Sequence, residues 1–135
     1  MRTGITFSSF DLLHAGHVQM LREAKTQCDY LICALNANPT GKNPIQSLVE
    51  RYIQLNGVRY VDEIIPYQNE EEVIDILSLY MPDVRIIGAD YKFRDFTGKE
   101  TCRQLGIEIY YNSREHKFST TYLREKIEHN TKNSR

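Results

Sequence analysis

The run Tyr30-Leu-Ile-Cys-Ala-Leu35 constrains the fold more than any other stretch of this chain. An unbroken apolar run of this length leaves no face for water, which is the pattern of a strand covered on both sides. Such a strand needs helices above and below it, and the flanking sequence alternates accordingly. Ile5 to Phe7 reads as a short strand and Val18 to Gln27 as an amphipathic helix with Val18, Leu21 and Ala24 on one side. Asn43-Pro44 offers a helix start, asparagine as cap and proline in the first turn, followed by Ile45, Leu48, Val49, Tyr52 and Ile53 at helical spacing. Glu63 to Ile65 reads as a third strand. Glu70 to Tyr80 reads as a helix that turns Val73, Ile76, Leu77 and Tyr80 inward and ends at Pro82. Val84 to Ile87 gives a fourth strand, Lys99 to Leu105 a short helix closed by Gly106, and Ile107 to Tyr110 a fifth strand. Ser119 or Thr120 caps a last helix carrying Leu123 and Ile127.

This alternation predicts an α/β fold: a Rossmann-like three-layer domain with a mostly parallel five-stranded sheet and right-handed crossovers. No linker or repeat divides the chain, so residues 1–129 are expected to form one domain and 130–135 a polar, disordered tail. Lysine plus arginine (17) nearly balance aspartate plus glutamate (18). No global basic field draws the chain to nucleic acid or to a membrane, and any anion site must be built locally. Cys28, Cys33 and Cys102 are odd in number and form no CxxC pair, which fits small core residues in a reducing compartment. With no membrane-span-length apolar run and no signal-peptide pattern, a cytoplasmic location is expected.

In parallel α/β sheets ligands bind beyond the carboxyl ends of the strands, where the strand order reverses. The chemically suggestive residues fall at those ends. His14 and His17 follow strand one, Lys42 follows strand two, Asp90 follows strand four, and Arg114 with Ser119-Thr120-Thr121 follows strand five. Within Thr6-Phe-Ser-Ser-Phe-Asp-Leu-Leu-His-Ala-Gly-His17 the chain leaves a strand, turns, and enters a helix. A helix start offers N–H donors and a positive dipole end to anions, and Gly16 lets backbone approach a phosphate. Two imidazoles there can donate hydrogen bonds to oxygens on a reacting phosphorus.

Each residue also has a plainer reading. An HxxH pair can bind metal, but His116 and His129 lie far along the chain and a third ligand is needed. Ser119-Thr120-Thr121 can simply cap a helix, Lys42 can be a surface lysine, and Asp90 can be the acid of a turn. Gly41-Lys42-Asn43 is not a P-loop, since the first glycine and the Ser/Thr after lysine are missing.

Phe10-Asp-Leu-Leu-His-Ala-Gly-His17 resembles the HxGH signature of the nucleotidyltransferase superfamily, and in particular the cytidylyltransferase branch typified by glycerol-3-phosphate cytidylyltransferase. Arg59-Tyr-Val-Asp-Glu-Ile-Ile-Pro66 matches that family's middle motif, and Arg114 with Phe118-Ser-Thr-Thr121 its C-terminal RTxGISTT motif. The resemblance implies His14, His17, Lys42 and Arg114 as catalytic residues. It implies Ser9, Phe10, Ala15, Gly16, Asp90, Ser119, Thr120 and Thr121 at the nucleotide, and Asp11 and Arg51 at the acceptor.

The implied reaction is transfer of CMP from CTP to a phosphorylated small alcohol or polyol, with pyrophosphate leaving and Mg²⁺ held mainly by the triphosphate. Relatives imply a homodimer. Repulsion between two polyanions, about 4 kcal/mol per pair of unit charges at ~4 Å and an effective dielectric near 20, has to be offset. His14, His17, Lys42, Arg114 and Mg²⁺ are the expected cations.

The chain departs from the family where Lys117 and Phe118 replace glycine and isoleucine. It also has no tryptophan. Gly88-Ala-Asp-Tyr-Lys92, followed by Gly98-Lys-Glu100, resembles the heptose-phosphate adenylyltransferases, which keeps AMP transfer from ATP to a sugar phosphate open. A nucleotide-binding module without turnover is the third reading.

Overall fold

The computed structural model describes residues 1–41 and 43–113. Lys42, Arg114, Ser119, Thr120, Thr121, the expected last helix and the expected tail lie outside them. Five strands, β1 (Thr3–Ser8), β2 (Tyr30–Asn36), β3 (Glu63–Tyr67), β4 (Val84–Gly88) and β5 (Glu108–Asn112), form one sheet in the order β3-β2-β1-β4-β5. Every pairing is parallel. Four helices connect them: α1 (Ala15–Lys25), α2 (Leu48–Asn56), α3 (Glu70–Tyr80) and α4 (Lys99–Leu105).

Strand β2 accounts for the layers. Leu31, Cys33 and Leu35 pack with Leu21 and Ala24 of α1 and Leu55 of α2. Ile32 and Ala34 pack on the opposite face with Val73, Ile76 and Leu77 of α3 and Cys102 of α4. A period of two on a strand sends neighbours to opposite faces, so the apolar run feeds two cores at once. The expected three-layer α/β architecture is present. The three cysteines carry free thiols; Cys33 and Cys102 are buried and Cys28 partly so.

The expected elements needed three corrections. Helix α2 begins at Leu48 and not at Asn43-Pro44, because Ser47 and Glu50 close a reciprocal capping box in which each side chain accepts the other's backbone N–H. Most of the predicted apolar stripe faces outward: Val49, Tyr52 and Ile53 of that helix and Ile45 before it are exposed, while Leu48 packs against the core and Arg51 and Leu55 are buried. Val18 and Tyr80, predicted inward, are likewise exposed.

Chain direction locates the site. From β1 the chain moves outward through β2 to β3, then returns to the other side of β1 for β4 and β5. The order reverses between β1 and β4, so the loops leaving β1, β2 and β4 emerge, with the carboxyl end of β5, along one edge around that switch point. No helix among the described residues is long and apolar enough to cross a membrane.

Candidate active site

The loop from β1 to α1 is built on backbone that most residues avoid. Phe10 and Leu12 both have φ of +49°, a left-handed conformation that costs a non-glycine residue of order 1 kcal/mol. Surrounding contacts hold it there. The Phe10 ring is buried in the core beneath α1. Leu12 N–H donates to Gln46 Oε1 at 2.8 Å, and the Asp11 carboxylate accepts the N–H groups of Ile45 (2.9 Å) and Gln46 (3.0 Å). The two loops that follow β1 and β2 are thereby stitched together. This also explains why no helix starts at Asn43-Pro44: the amides of Ile45 and Gln46 are bound to Asp11.

Burial opposes ionisation of Asp11, but the N–H donors of Gln46 and Ile45 and the nearby Arg51 charge outweigh it and hold the carboxyl below its ordinary range.

Helix α1 is capped by the two histidines themselves. His14 is the N-cap, and its Nδ1 accepts the N–H of Gly16 at 3.0 Å. His17, in the first turn, turns its Nδ1 back to accept the N–H of His14 at 3.1 Å. The two rings are in contact, tilted by 37° with centroids 4.0 Å apart, and the Phe10 ring lies 6.1 Å from that of His17.

An imidazole whose Nδ1 accepts a hydrogen bond must, when neutral, carry its proton on Nε2. Burial, reinforced by His14 and partly countered by Asp11, lowers the His17 pKa to about 4, and burial also lowers that of His14. These shifts favour uncharged rings over the positive charge expected of the pair. Uncharged, each ring is an Nε2–H donor of fixed tautomer. The Gly16 N–H is bonded to His14.

A cavity of about 450 Å³ opens beside this head of α1, lined by Ser9, Asp11, His17, Pro39, Asn43, Pro44 and Ile45. The structure thus brings Ser9, Asp11 and His17 to one opening, with Asn43, the residue after Lys42, on its wall. Ala15 is exposed at the start of α1. Asp90 stands in a short 3-10 turn, Ala89–Tyr91, directly after β4, with Arg94 at 3.9 Å.

Arg51 is found beneath the cavity instead of inside it. It is 2% exposed. Its guanidinium donates to the carbonyls of Asn36 (2.7 Å), Ser9 (2.9 Å), Gln46 (3.3 Å) and Ala37 (3.5 Å). It is the rivet of the two stitched loops. Gln46 was not singled out from sequence. The one available sign was a polar residue between the apolar Ile45 and Leu48, too weak to distinguish from solvated surface.

Comparison with known proteins agrees with this geometry. The bifunctional protein HldE of Granulibacter bethesdensis is 36% identical over 115 residues, 81% of this chain. This chain spans only 24% of that protein's length. The glycerol-3-phosphate cytidylyltransferase of Bacillus subtilis is 34% identical over 131 residues, covering 94% of this chain and 98% of that one. Among solved structures, the lipopolysaccharide core biosynthesis protein of Thermoplasma volcanium superposes with a TM-score of 0.74 at 27% identity, over 86% of this chain and 99% of that chain. The pantoate-beta-alanine ligase of Francisella tularensis, at 18% identity and a TM-score of 0.59 over 82% of this chain and 58% of that chain, shares the fold. The family model described as cytidylyltransferase-like matches residues 5–126, and with the histidine pair at the switch point of a parallel sheet, the chain belongs to that family.

Proposed function

We propose that this chain is a nucleotidyltransferase that moves CMP from CTP to the phosphate of a small phosphorylated alcohol or polyol, glycerol-3-phosphate-like, and releases pyrophosphate. The observation that carries the reading is the neutral imidazole pair at the head of α1, each tautomer fixed by a backbone N–H, beside a cavity lined by His17. An acceptor phosphate oxygen attacks the α-phosphorus; the bond to the bridging oxygen breaks, and its electrons leave with pyrophosphate. The acceptor needs no base, because a phosphate monoester loses its second proton with a pKa of about 6. The two Nε2–H groups donate to oxygens whose charge grows in the transition state.

Neutral donors do not cancel the repulsion between two polyanions, so cations are assigned to Lys42, Arg114 and Mg²⁺. The residues present fit a magnesium ion carried by the nucleotide. Asp11, the carboxylate among the cavity-lining residues, has its oxygens engaged by two backbone amides. Bound there, the ion would neutralise triphosphate charge. Ser9, Phe10, Ala15, Gly16, Asp90 and Ser119-Thr120-Thr121 are assigned to the nucleotide, and Asp11 to the acceptor side. Arg51 acts through the loops it holds.

A second reading, AMP transfer from ATP to a sugar phosphate, is favoured by Gly88-Ala-Asp-Tyr-Lys92 and by the likeness to HldE proteins. Full-length coverage of the glycerol-3-phosphate cytidylyltransferases favours the first. Pyrophosphate release, measured with each triphosphate, Mg²⁺ and a panel of phosphorylated acceptors, decides. Release with CTP supports the first reading, release with ATP alone replaces it, and release with none leaves a binding module. A homodimer is part of this proposal, and the exposed Val49, Tyr52 and Ile53 on α2 give it an apolar face.

A further inference from the structure

Strand β4 carries an arginine where the fold calls for an apolar residue. Arg85 sits opposite Ile5 in the sheet and is 5% exposed. Its neighbours Val84 and Ile86 belong to the core under α1 and α2, so Arg85 projects to the face covered by α3 and α4. Among the described residues it has no carboxylate within ion-pair distance. Tyr67, Glu70 and Cys102 are the ionisable groups that face it.

Beside its contact with Cys102, the guanidinium stands against two aromatic rings. Its Cζ lies 4.8 Å from the Phe7 ring centroid and 5.0 Å from that of Phe96, and Nη1 donates to the Thr97 carbonyl. A planar cation between two ring faces exchanges hydration for π contact, which an ammonium or an apolar side chain reproduces poorly. Phe96 and Thr97 belong to the loop between β4 and α4.

From there the contacts run outward. Phe96 meets Tyr91 edge to face at 5.9 Å, Arg94 lies over Tyr91 at 4.5 Å, and Arg94 reaches Asp90. The loop's other end closes just as tightly. Gly98 has φ of +85°, and a Cβ there would stand 2.8 Å from Arg85 Nη1 and 2.7 Å from Leu77 Cδ1. One buried residue therefore connects the sheet to the exposed turn that holds Asp90 at the switch-point edge.

We propose that Arg85 is a positioning residue that clamps the loop from Asp90 to Thr97 onto the sheet and so holds the nucleotide side of the site in place. The proposal rests on the transferase reading for the nucleotide, but the clamp itself can be read without it. Lys92 and Arg94 are exposed in this loop, so trypsin reports its opening directly. The variants are Arg85→Met, Arg85→Lys and Phe96→Leu; the last keeps the arginine and removes one ring face. Each is digested well below its own melting temperature, and KM for the triphosphate is compared with kcat.

Cleavage after Lys92 or Arg94 should rise about tenfold in Arg85→Met. Arg85→Lys should recover part of the protection, and Phe96→Leu should show an intermediate rise. KM should increase at least about fivefold with kcat within about twofold, the signature of lost ground-state positioning. Unchanged loop cleavage in the variants, with only a lower melting temperature, would make Arg85 an ordinary core residue and overturn the clamp. Faster cleavage with an unmoved KM would overturn its role at the nucleotide. If Arg85→Met fails to fold, Phe96→Leu decides by the same two readouts. An unaltered protein that turns over no triphosphate removes the transferase reading, while the cleavage rates still settle the clamp.

Discussion

His17 Nδ1 accepts the backbone N–H of His14, so a residue proposed for phosphate chemistry also closes the first turn of its own helix. The two duties use different nitrogens of one ring and can be separated. Asparagine offers an oxygen near the position of Nδ1 but no donor where Nε2–H stands. In His17→Asn the cap should survive, with thermal stability within a few degrees of the parent protein. Turnover should fall at least ~100-fold, the usual cost of one transition-state donor. His14→Asn should behave alike, since asparagine is a favoured N-cap. Calorimetry alongside pyrophosphate release checks both, and near-normal turnover in either variant would remove that histidine from the mechanism.

Stability should fall on acidification through the same pair. In the folded chain His17 has a pKa of about 4, lowered first by burial, against 6.5 for a free imidazole. The unfolded chain therefore binds the proton more readily, and stability present above pH ~6.5 is lost progressively as pH drops toward ~4. One such group contributes a slope of at most about 1.4 kcal/mol per pH unit in that window. Urea midpoints between pH 7.5 and pH 4.5 should show this slope, and His17→Asn should flatten it. An equally steep loss in the variant would assign the effect to other groups.

The strand and helix order was legible because β2 announces two cores and the punctuation by glycine and proline is strong. Met81 takes φ of +47° just before Pro82 to end α3, and Gly106 takes +73° to end α4. Clustering of His14, His17 and Asp90 at one edge followed from parallel topology alone. The start of α2 was misread because Asn43-Pro44 is a good local signal that loses to Asp11, thirty-four residues away from Ile45 along the chain. The outward stripe on α2 was unreadable for a related reason. Periodicity shows that Ile45, Val49, Tyr52 and Ile53 share a side, but not that Arg51 takes the inner one.

Arg51 supplies the next test. Four carbonyls from three segments converge on its guanidinium, and no apolar side chain can replace those donors. A buried polar group left unpaired costs about 1–3 kcal/mol. Arg51→Met should therefore destabilise the protein by at least ~3 kcal/mol even if some carbonyls find water. Arg51→Lys has too few donors in the wrong geometry and should recover only part of the loss. Denaturant unfolding measures both. A loss below ~1 kcal/mol in Arg51→Met would show that the loops after β1 and β2 hold their shape without the rivet.

Asn112 should respond in the opposite direction. It ends β5 opposite Gly88, is 2% exposed, and neither its amide nitrogen nor its amide oxygen has a hydrogen-bond partner among the described residues. A buried amide in that condition gives up its hydration without compensation, at about 1–3 kcal/mol for each unsatisfied group. Leucine branches at the same carbon and has no polar atom, so Asn112→Leu removes that penalty against a smaller cost for its added volume. The variant should be more stable by ~1–2 kcal/mol, a rise of roughly 3–8 °C in Tm for a domain of this size. Thermal unfolding at matched pH reads the sign directly. A lower Tm would mean that an ordered water already satisfies the amide, in which case Asn112→Asp at neutral pH should destabilise further by burying a charge.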